Sequence, residues 1–266
     1  DLLRTGVISG ALLVVIVALP SILGGLPSLA LIALIAGLGT WEYCKLLRQG
    51  GHEPMAALAV GLSVLFVAQA QWPEALPLSL LLTVAVIGTL LLSLWHKSAQ
   101  PATDWALTLA GALYLGWLLS QVVHLRAGPQ GLPWLALAAL MVWAADVFAY
   151  FGGRAFGRHP WWPRHSPKKS WEGYIIGALA ATVVGGLLAG PLVGISWLEA
   201  LLLGLLVGLV APLGDLAESM IKRQVGAKDS SALIPGHGGV LDRIDSLLIA
   251  IPIVYFWSVL LPHVTA

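Results

Sequence analysis

Three residues that could do chemistry, Asp215, Glu218 and Ser219, stand in the segment APLGDLAESMIKR, and two more, Asp242 and Asp245, follow in GHGGVLDRID. Glu218 lies three residues and Ser219 four after Asp215, and Asp245 lies three after Asp242, so in helices each set shares one face. Carboxylates from two neighbouring helices can converge on one hard cation. Magnesium suits such a site: it prefers oxygen, keeps waters, and is commonly held by one or two carboxylates together with substrate phosphates. Lys222, Arg223, Lys228 and Arg243 surround these acids, and such bases neutralise phosphate oxygens. Metal-binding anions mixed with phosphate-binding cations are what phosphoryl transfer requires. The run GHGG, Gly236 to Gly239, stands just before a helix start, where glycine permits close backbone approach and free N–H groups favour an anion. His237, among those glycines, reads as a phosphate donor or a loop organiser, and no second histidine is near enough for a zinc site. The bland alternative is that the acids pair with Lys222, Arg223 and Arg243 in a structural network, and that the bases serve topology and attraction to anionic lipid. It explains which side the bases occupy, but not the interleaved aspartates and glycines.

The elements that must carry these residues are membrane helices. Of 266 residues, 58% are hydrophobic and only 10% charged, with a mean hydropathy of +0.88, against roughly 25% charged in an ordinary soluble domain. One cysteine, Cys44, excludes an intramolecular disulfide framework. Apolar runs of about 20 residues, the length that crosses a hydrocarbon core, number about nine. They run near Val7 to Leu23, Pro27 to Leu47, Pro54 to Ala70, Ala75 to Trp95, Asp104 to Val123, Pro133 to Phe151, Gly173 to Gly190, Trp197 to Ile221 and Ile244 to Leu261. Lipid forbids irregular backbone, so the expected fold is all-α: a polytopic integral membrane protein with no large soluble domain. Residues 1–130 would hold about five spans, and 131–266 a catalytic region of about four, with loops 152–173 and 222–243 on one face. Only three residues separate the first two spans, so they also fit one re-entrant hairpin. The first resembles a signal peptide in length, but no polar domain follows it, which favours a retained helix.

Alternating helices place thirteen of the fourteen basic residues on one side and Arg126 alone on the other. The positive-inside rule makes that side cytoplasmic, with the N-terminus there. Trp41, Trp95, Trp105 and Trp171 near inner ends, and Trp72, Trp134 and Trp197 near outer ends, read as interfacial belts. Asp146 falls near the inner end of the sixth span and Asp215 near that of the eighth, where an ionisable group is costly and marks function by default.

The stretch SMIKRQVGAKDSSALIPGHGGVLDRID, Ser219 to Asp245, resembles the signature of the phosphatidate cytidylyltransferase family, the CDP-diacylglycerol synthases. Its fixed positions are present as Ser219, Lys222, Arg223, Lys228, Asp229, His237, Gly238, Gly239, Asp242, Arg243 and Asp245. DVFAYFGGRAFGR, Asp146 to Arg158, and SPKKSWEG, Ser166 to Gly173, resemble the same family, while the intervening HPWWPRH is least like it. The resemblance covers the C-terminal half by motif and the N-terminal half by hydropathy. It implies a magnesium-dependent enzyme of a bacterial-type inner membrane that uses CTP and phosphatidic acid to make CDP-diacylglycerol and pyrophosphate, with its site on the cytoplasmic face. Asp215 and Asp242 are then the expected metal ligands, with Asp245 orienting the site or holding a second cation. Lys222, Arg223, Lys228, Arg243, Lys168 and Lys169 would hold triphosphate or phosphatidate phosphate. Asp229 and His237 join them as signature positions of the catalytic set. Asp146, Arg154, Ser166, Ser219, Gly238 and Gly239 would line the substrate pocket.

Partners are CTP, phosphatidic acid and membrane lipid, with no nucleic acid. Small-residue runs such as GGLLAG from Gly185 suit close helix packing within one chain, or in a homodimer. Two other classes compete. A transporter of a phosphorylated or anionic substrate would show internal repeats and mid-helix polar residues, whereas here the charges cluster at one interface and no repeat stands out. A CDP-alcohol phosphatidyltransferase would carry its own aspartate pattern beginning DGxxAR, which is absent.

Overall fold

The computed structural model describes residues 15–233 and 238–261. His237, Arg4 and the first half of the first expected span lie outside the described residues. Within them the regular structure is helical apart from one short hairpin. After a helical stretch at 15–23, the elements are α1 (Gly25–Gln49), α2 (Ala56–Gln71), α3 (Leu78–Ser93), α4 (Pro101–Ala127), α5 (Gly131–Phe156), β1 (Pro160–Trp162), β2 (Ser166–Ser170), α6 (Trp171–Val193), α7 (Trp197–Gln224) and α8 (Leu241–Leu260). Among the described residues six helices, α1 and α4 to α8, are long and apolar enough to cross a membrane, and no large soluble domain interrupts them, so the protein is an integral membrane protein. Helices α2 and α3 are apolar but have 16 residues each, about 24 Å of helix against a hydrocarbon core of about 30 Å.

The chain forms two compact units, residues 1–127 with 222–244, and residues 128–221 with 245–266. In the first, α1 packs on α2, and α2 on the middle of α4. There α4 widens into a π-helical turn, Ala112–Trp117, within which Gly116 abuts the Ser63 backbone so closely that a Cβ would overlap its Cα. Leu62, Phe66, Leu81, Ala85 and Ala112 form the buried apolar cluster, and the Thr40 and Ser63 hydroxyls hydrogen-bond at 2.7 Å between α1 and α2. The break between 15–23 and α1 is a turn at Gly24 and Gly25, both with positive φ. Arg126 caps it, donating to the Ser21 and Ile22 carbonyls at 2.7 and 3.0 Å. The one basic residue that the charge pattern set apart therefore satisfies carbonyls left over at a helix end.

The second unit is built on small residues. A Cβ on Gly173 or Gly177 of α6 would stand 2.7 and 2.6 Å from the Ala149 and Ala145 carbonyl oxygens of α5. On the α7 side, Gly185 approaches the Ala200 carbonyl, while Gly204 and Gly208 of α7 approach Ala181 and Ala178. The run at Gly185 is thus used for packing within the chain, in the manner of small-residue membrane interfaces. Of the expected belt tryptophans, Trp41, Trp72, Trp95, Trp171 and Trp197 are exposed, but Trp134 is 4% exposed and belongs to the core.

The 152–173 connection differs from an open loop. Helix α5 continues to Phe156, so Asp146 and Arg154 are both helical. Then β1 and β2 pair antiparallel, with Trp162 opposite Ser166 and Pro160 opposite Ser170. Ser170 caps α6, its hydroxyl accepting from Gly173 N at 3.2 Å. Trp161, from the part of the chain least like the family pattern, stacks on Tyr174 at 4.1 Å, and the Tyr174 hydroxyl donates to the Leu209 carbonyl at 2.7 Å.

Candidate active site

In the second unit the hairpin delivers Lys169 to Asp215, with Nζ 2.7 Å from Oδ2. Lys169 also lies 5.8 Å from the centre of the Trp161 ring, a cation–π contact that limits where the ammonium can go. The other Asp215 oxygen accepts from the Ser219 hydroxyl at 3.2 Å, the one-turn pairing expected from their spacing. Asp215, Glu218 and Asp245 together offer three carboxylate oxygens within 4.8 Å of one another. Glu218 is fully buried and the other two partly so. Hard oxygen donors gathered this closely fit a small divalent cation, so this acidic cluster could bind a metal ion. Asp146 interacts electrostatically with Asp215, Lys169 and Asp245.

In the first unit Asp242 is held by four donors. Lys222 Nζ reaches Oδ1 at 2.7 Å, while the Ser230 N–H, the Ser230 hydroxyl and the Gly239 N–H reach Oδ2 at 2.9, 2.8 and 2.8 Å. Both side chains of the Lys222–Asp242 pair are nearly buried, where an ion pair holds only if further hydrogen bonds complete it. Close by, Glu42 of α1 is 0% exposed and also has four donor groups around it, one of them the same Ser230 hydroxyl, whose single hydrogen serves one carboxylate at a time. These are the Ser230 and Ser231 hydroxyls at 3.2 and 2.5 Å and the Val240 and Leu241 N–H groups at 3.0 and 2.8 Å. The helix start after GHGG therefore does attract anions, as its unpaired N–H groups and dipole require. The anions are the protein's own, since Glu42 and Asp242 occupy the N–H groups of residues 239 to 241 that the sequence left open to a phosphate.

The structure brings together Ser219, Lys169, Asp245 and Asp215 in one unit, and Lys222, Gly239 and Asp242 in the other. A Cβ on Gly238, where φ is 79°, would stand 2.7 Å from Asp242 Oδ2. Other expected residues lie at the surface or on neighbouring elements. Arg223 is exposed and donates to the Ala227 carbonyl at 2.8 Å. Lys168, Lys228 and Asp229 are exposed, as is Arg243, Arg154 donates to the Tyr150 hydroxyl at 3.4 Å, and Ser166 is part-buried at the hairpin register. Glu42, Ser230, Ser231 and Trp161 escape a reading by motif. Glu42 carries the same signal as Asp215, an ionisable group inside an apolar span, but its partner Ser230 is 188 residues away.

Comparison with known proteins agrees with the signature. The model of the Cytidylyltransferase family matches residues 4–261. The chain is 38% identical over 269 residues to a phosphatidate cytidylyltransferase of Synechocystis sp., covering 90% of this chain and 91% of the relative. It is 41% identical over 250 residues to one of Pseudomonas aeruginosa, covering 90% and 92%. With one of Brucella abortus it shares 46% identity over 152 residues, 56% of each chain. The chain belongs to the cytidylyltransferase family, as a nucleotidyltransferase of the phosphatidate cytidylyltransferase type.

Proposed function

We propose that the protein transfers a cytidylyl group from CTP to phosphatidic acid, releasing pyrophosphate and forming CDP-diacylglycerol, with magnesium as cofactor. The observation that carries this reading is the gathering of Asp215, Glu218 and Asp245 beside the ammonium of Lys169, a metal-binding anion set with a phosphate-binding cation on its edge. Asp215, Glu218 and Asp245 would hold the cation. Asp242 is proposed as a further ligand through Oδ1, which carries Lys222 and one long bond from Ser230 N at 3.3 Å. When bound, the metal would offset negative charge on the phosphates.

A phosphate oxygen of phosphatidate attacks the α-phosphorus of CTP, and the bond to the β-phosphate oxygen breaks, with its electron pair leaving on pyrophosphate. The nucleophile is already an anion, so no general base is required. Catalysis reduces to positioning and charge neutralisation. Lys169 and Lys222, each already oriented by a carboxylate, are proposed to neutralise phosphate oxygens, with Lys168, Arg223, Lys228 and Arg243 supplying the surrounding field. Asp229, His237, Asp146, Arg154, Ser166, Ser219, Gly238 and Gly239 complete the proposed catalytic and substrate-binding set, within a catalytic region 131–266.

The nine helical stretches are read as nine spans, with α2 and α3 accommodated by local thinning of the bilayer. Lys45, Arg48, Lys97 and the basic residues of 152–173 and 222–243 then face the cytoplasm of a bacterial-type inner membrane. That is where both substrates would meet. The test is purified protein in mixed micelles with radiolabelled CTP, following label into the lipid phase. Label that requires both phosphatidate and magnesium is expected. No label from a folded, lipid-replete preparation would overturn the reading and direct attention to transport.

A further inference from the structure

We propose that Glu42 is a positioning residue for the transfer reaction: from α1 it clasps the signature segment at Ser230, Ser231, Val240 and Leu241, and through Ser230 it fixes Asp242 and so Lys222. This rests on the cytidylyl-transfer reading for its consequence in turnover, but the clasp itself stands on geometry within one unit.

The Ser230 hydroxyl lies 3.2 Å from Glu42 Oε2 and 2.8 Å from Asp242 Oδ2. The Ser230 N–H lies 2.9 Å from that same Asp242 oxygen, so one serine joins the two carboxylates. Asp242 in turn receives Lys222 at 2.7 Å. The lysine that neutralises phosphate is thus placed by a chain of three contacts starting on a helix outside the signature. Gly239 belongs to the same device. A Cβ there would stand 2.6 and 2.7 Å from the two Glu42 oxygens and would overlap the Ser230 hydroxyl, so glycine is needed because the clasp closes over it.

A carboxylate is required, and an amide will not serve. Oε1 accepts from Ser231 Oγ and the Val240 N–H, and Oε2 from Ser230 Oγ and the Leu241 N–H. Each oxygen therefore faces a backbone donor that cannot reverse its role. Glutamine would turn an NH2 towards one of them whichever way it flips, in a site fully removed from water where an unmet donor is costly.

The test uses full-length protein in micelles and three measurements on Glu42→Gln and Ser230→Ala: hydrogen exchange of the Val240 and Leu241 amides, kcat and KM for each substrate, and Tm. For Glu42→Gln the clasp predicts faster exchange at these two amides. It also predicts that kcat falls by about tenfold or more at saturating substrates, the change expected from losing roughly one hydrogen bond to a charged group, with KM for CTP little moved. Ser230→Ala leaves α1 and its carboxylate intact. It should lower kcat in the same direction, beyond any loss of folded protein read from Tm, and it keeps the proposal testable if Glu42→Gln does not fold. Wild-type kcat and native exchange in both variants would overturn the proposal, as would losses of kcat that only track loss of folded protein. A wild-type protein that never labels lipid would refute the cytidylyl reading instead, while the exchange result would still judge the clasp.

Discussion

Replacing Gly214 by alanine tests whether Asp215, Glu218 and Asp245 work as one cation site. Gly214 lies on α7 directly before Asp215, and its Cα faces the backbone of Asp245 on α8. An added Cβ would overlap the Asp245 carbonyl oxygen and stand 2.9 Å from its carbonyl carbon. Carbon atoms rest at about 3.5–4.0 Å, so this part of α8 must retreat by at least about 0.6 Å, and relief of the oxygen overlap brings the shift to about 1 Å. The residue pushed is itself a member of the cluster. Its three oxygens now lie within 4.8 Å of one another, whereas oxygens bound to magnesium at about 2.0–2.1 Å stand no more than about 4 Å apart. The native cluster can close on an ion by small side-chain movements, but a further 1 Å withdraws one donor. Overpacking of this kind costs about 1–3 kcal/mol, so the variant should fold with a modestly lower Tm. Misplacement by about 1 Å can cost about a hundredfold in rate. Turnover of radiolabelled CTP into lipid should fall by about that factor, with the magnesium concentration for half-maximal rate raised. Gly88→Ala is the control: its Cβ meets nothing within 4 Å, so turnover should be unchanged and the helix favoured by up to about 1 kcal/mol. A Gly214→Ala protein with wild-type rate and magnesium dependence would refute the assignment of this cluster to the metal.

Two further sets of variants address the charges directly. Asp215→Asn and Asp242→Asn, which keep shape and remove charge, should each lower turnover by more than about a hundredfold while the purified protein stays folded by circular dichroism. Near-normal activity in either would remove that residue from the metal site. Lys222→Ala and Arg223→Ala should raise the apparent requirement for a phosphate substrate, by about tenfold or more for Lys222, whose bond to Asp242 is nearly buried, and by less for exposed Arg223. An effect confined to protein yield would assign both residues to topology.

The sequence made the membrane character, the signature and its acid–base mixture legible, because each depends on residue type over a short interval. Hydropathy located the helices, and the Asp215–Ser219 contact follows from a four-residue spacing. Partners brought in from elsewhere in the chain were not legible. Asp215 takes Lys169 from a hairpin 46 positions earlier, and that hairpin is packed through the stacking of Trp161 on Tyr174, which no periodicity announces. Glu42 was hidden for the same reason. The helix N-terminus after GHGG was correctly read as attractive to an anion, but a helix start cannot distinguish a phosphate from a carboxylate of the same chain. Span length, too, is blurred in sequence, since apolar residues beyond a helix end look like part of it, and α2 and α3 stop at 16 residues.

The two units hold their charges by different physical means, and the contrast bears on where a ligand can bind. The donors to Glu42 and to Asp242 Oδ2 come from the signature segment itself and shape it, while Asp242 Oδ1 carries Lys222 and one long bond from Ser230 N. In the second unit, position is set by steric contact between small residues instead. Gly177 fixes α6 against Ala145 of α5, next to Asp146, and Gly208 fixes α7 against Ala178, seven residues before Asp215. Such contacts locate a helix without using polar groups, and they leave coordinating capacity on the side chains that the helix carries. Asp215 is correspondingly part-exposed, with one ammonium and one hydroxyl on its two oxygens. A cation arriving there competes with a single partly exposed lysine rather than with a closed network. On the proposed reading, metal and phosphate would therefore exchange most readily at Asp215, while the bonds around Asp242 keep Lys222 in position.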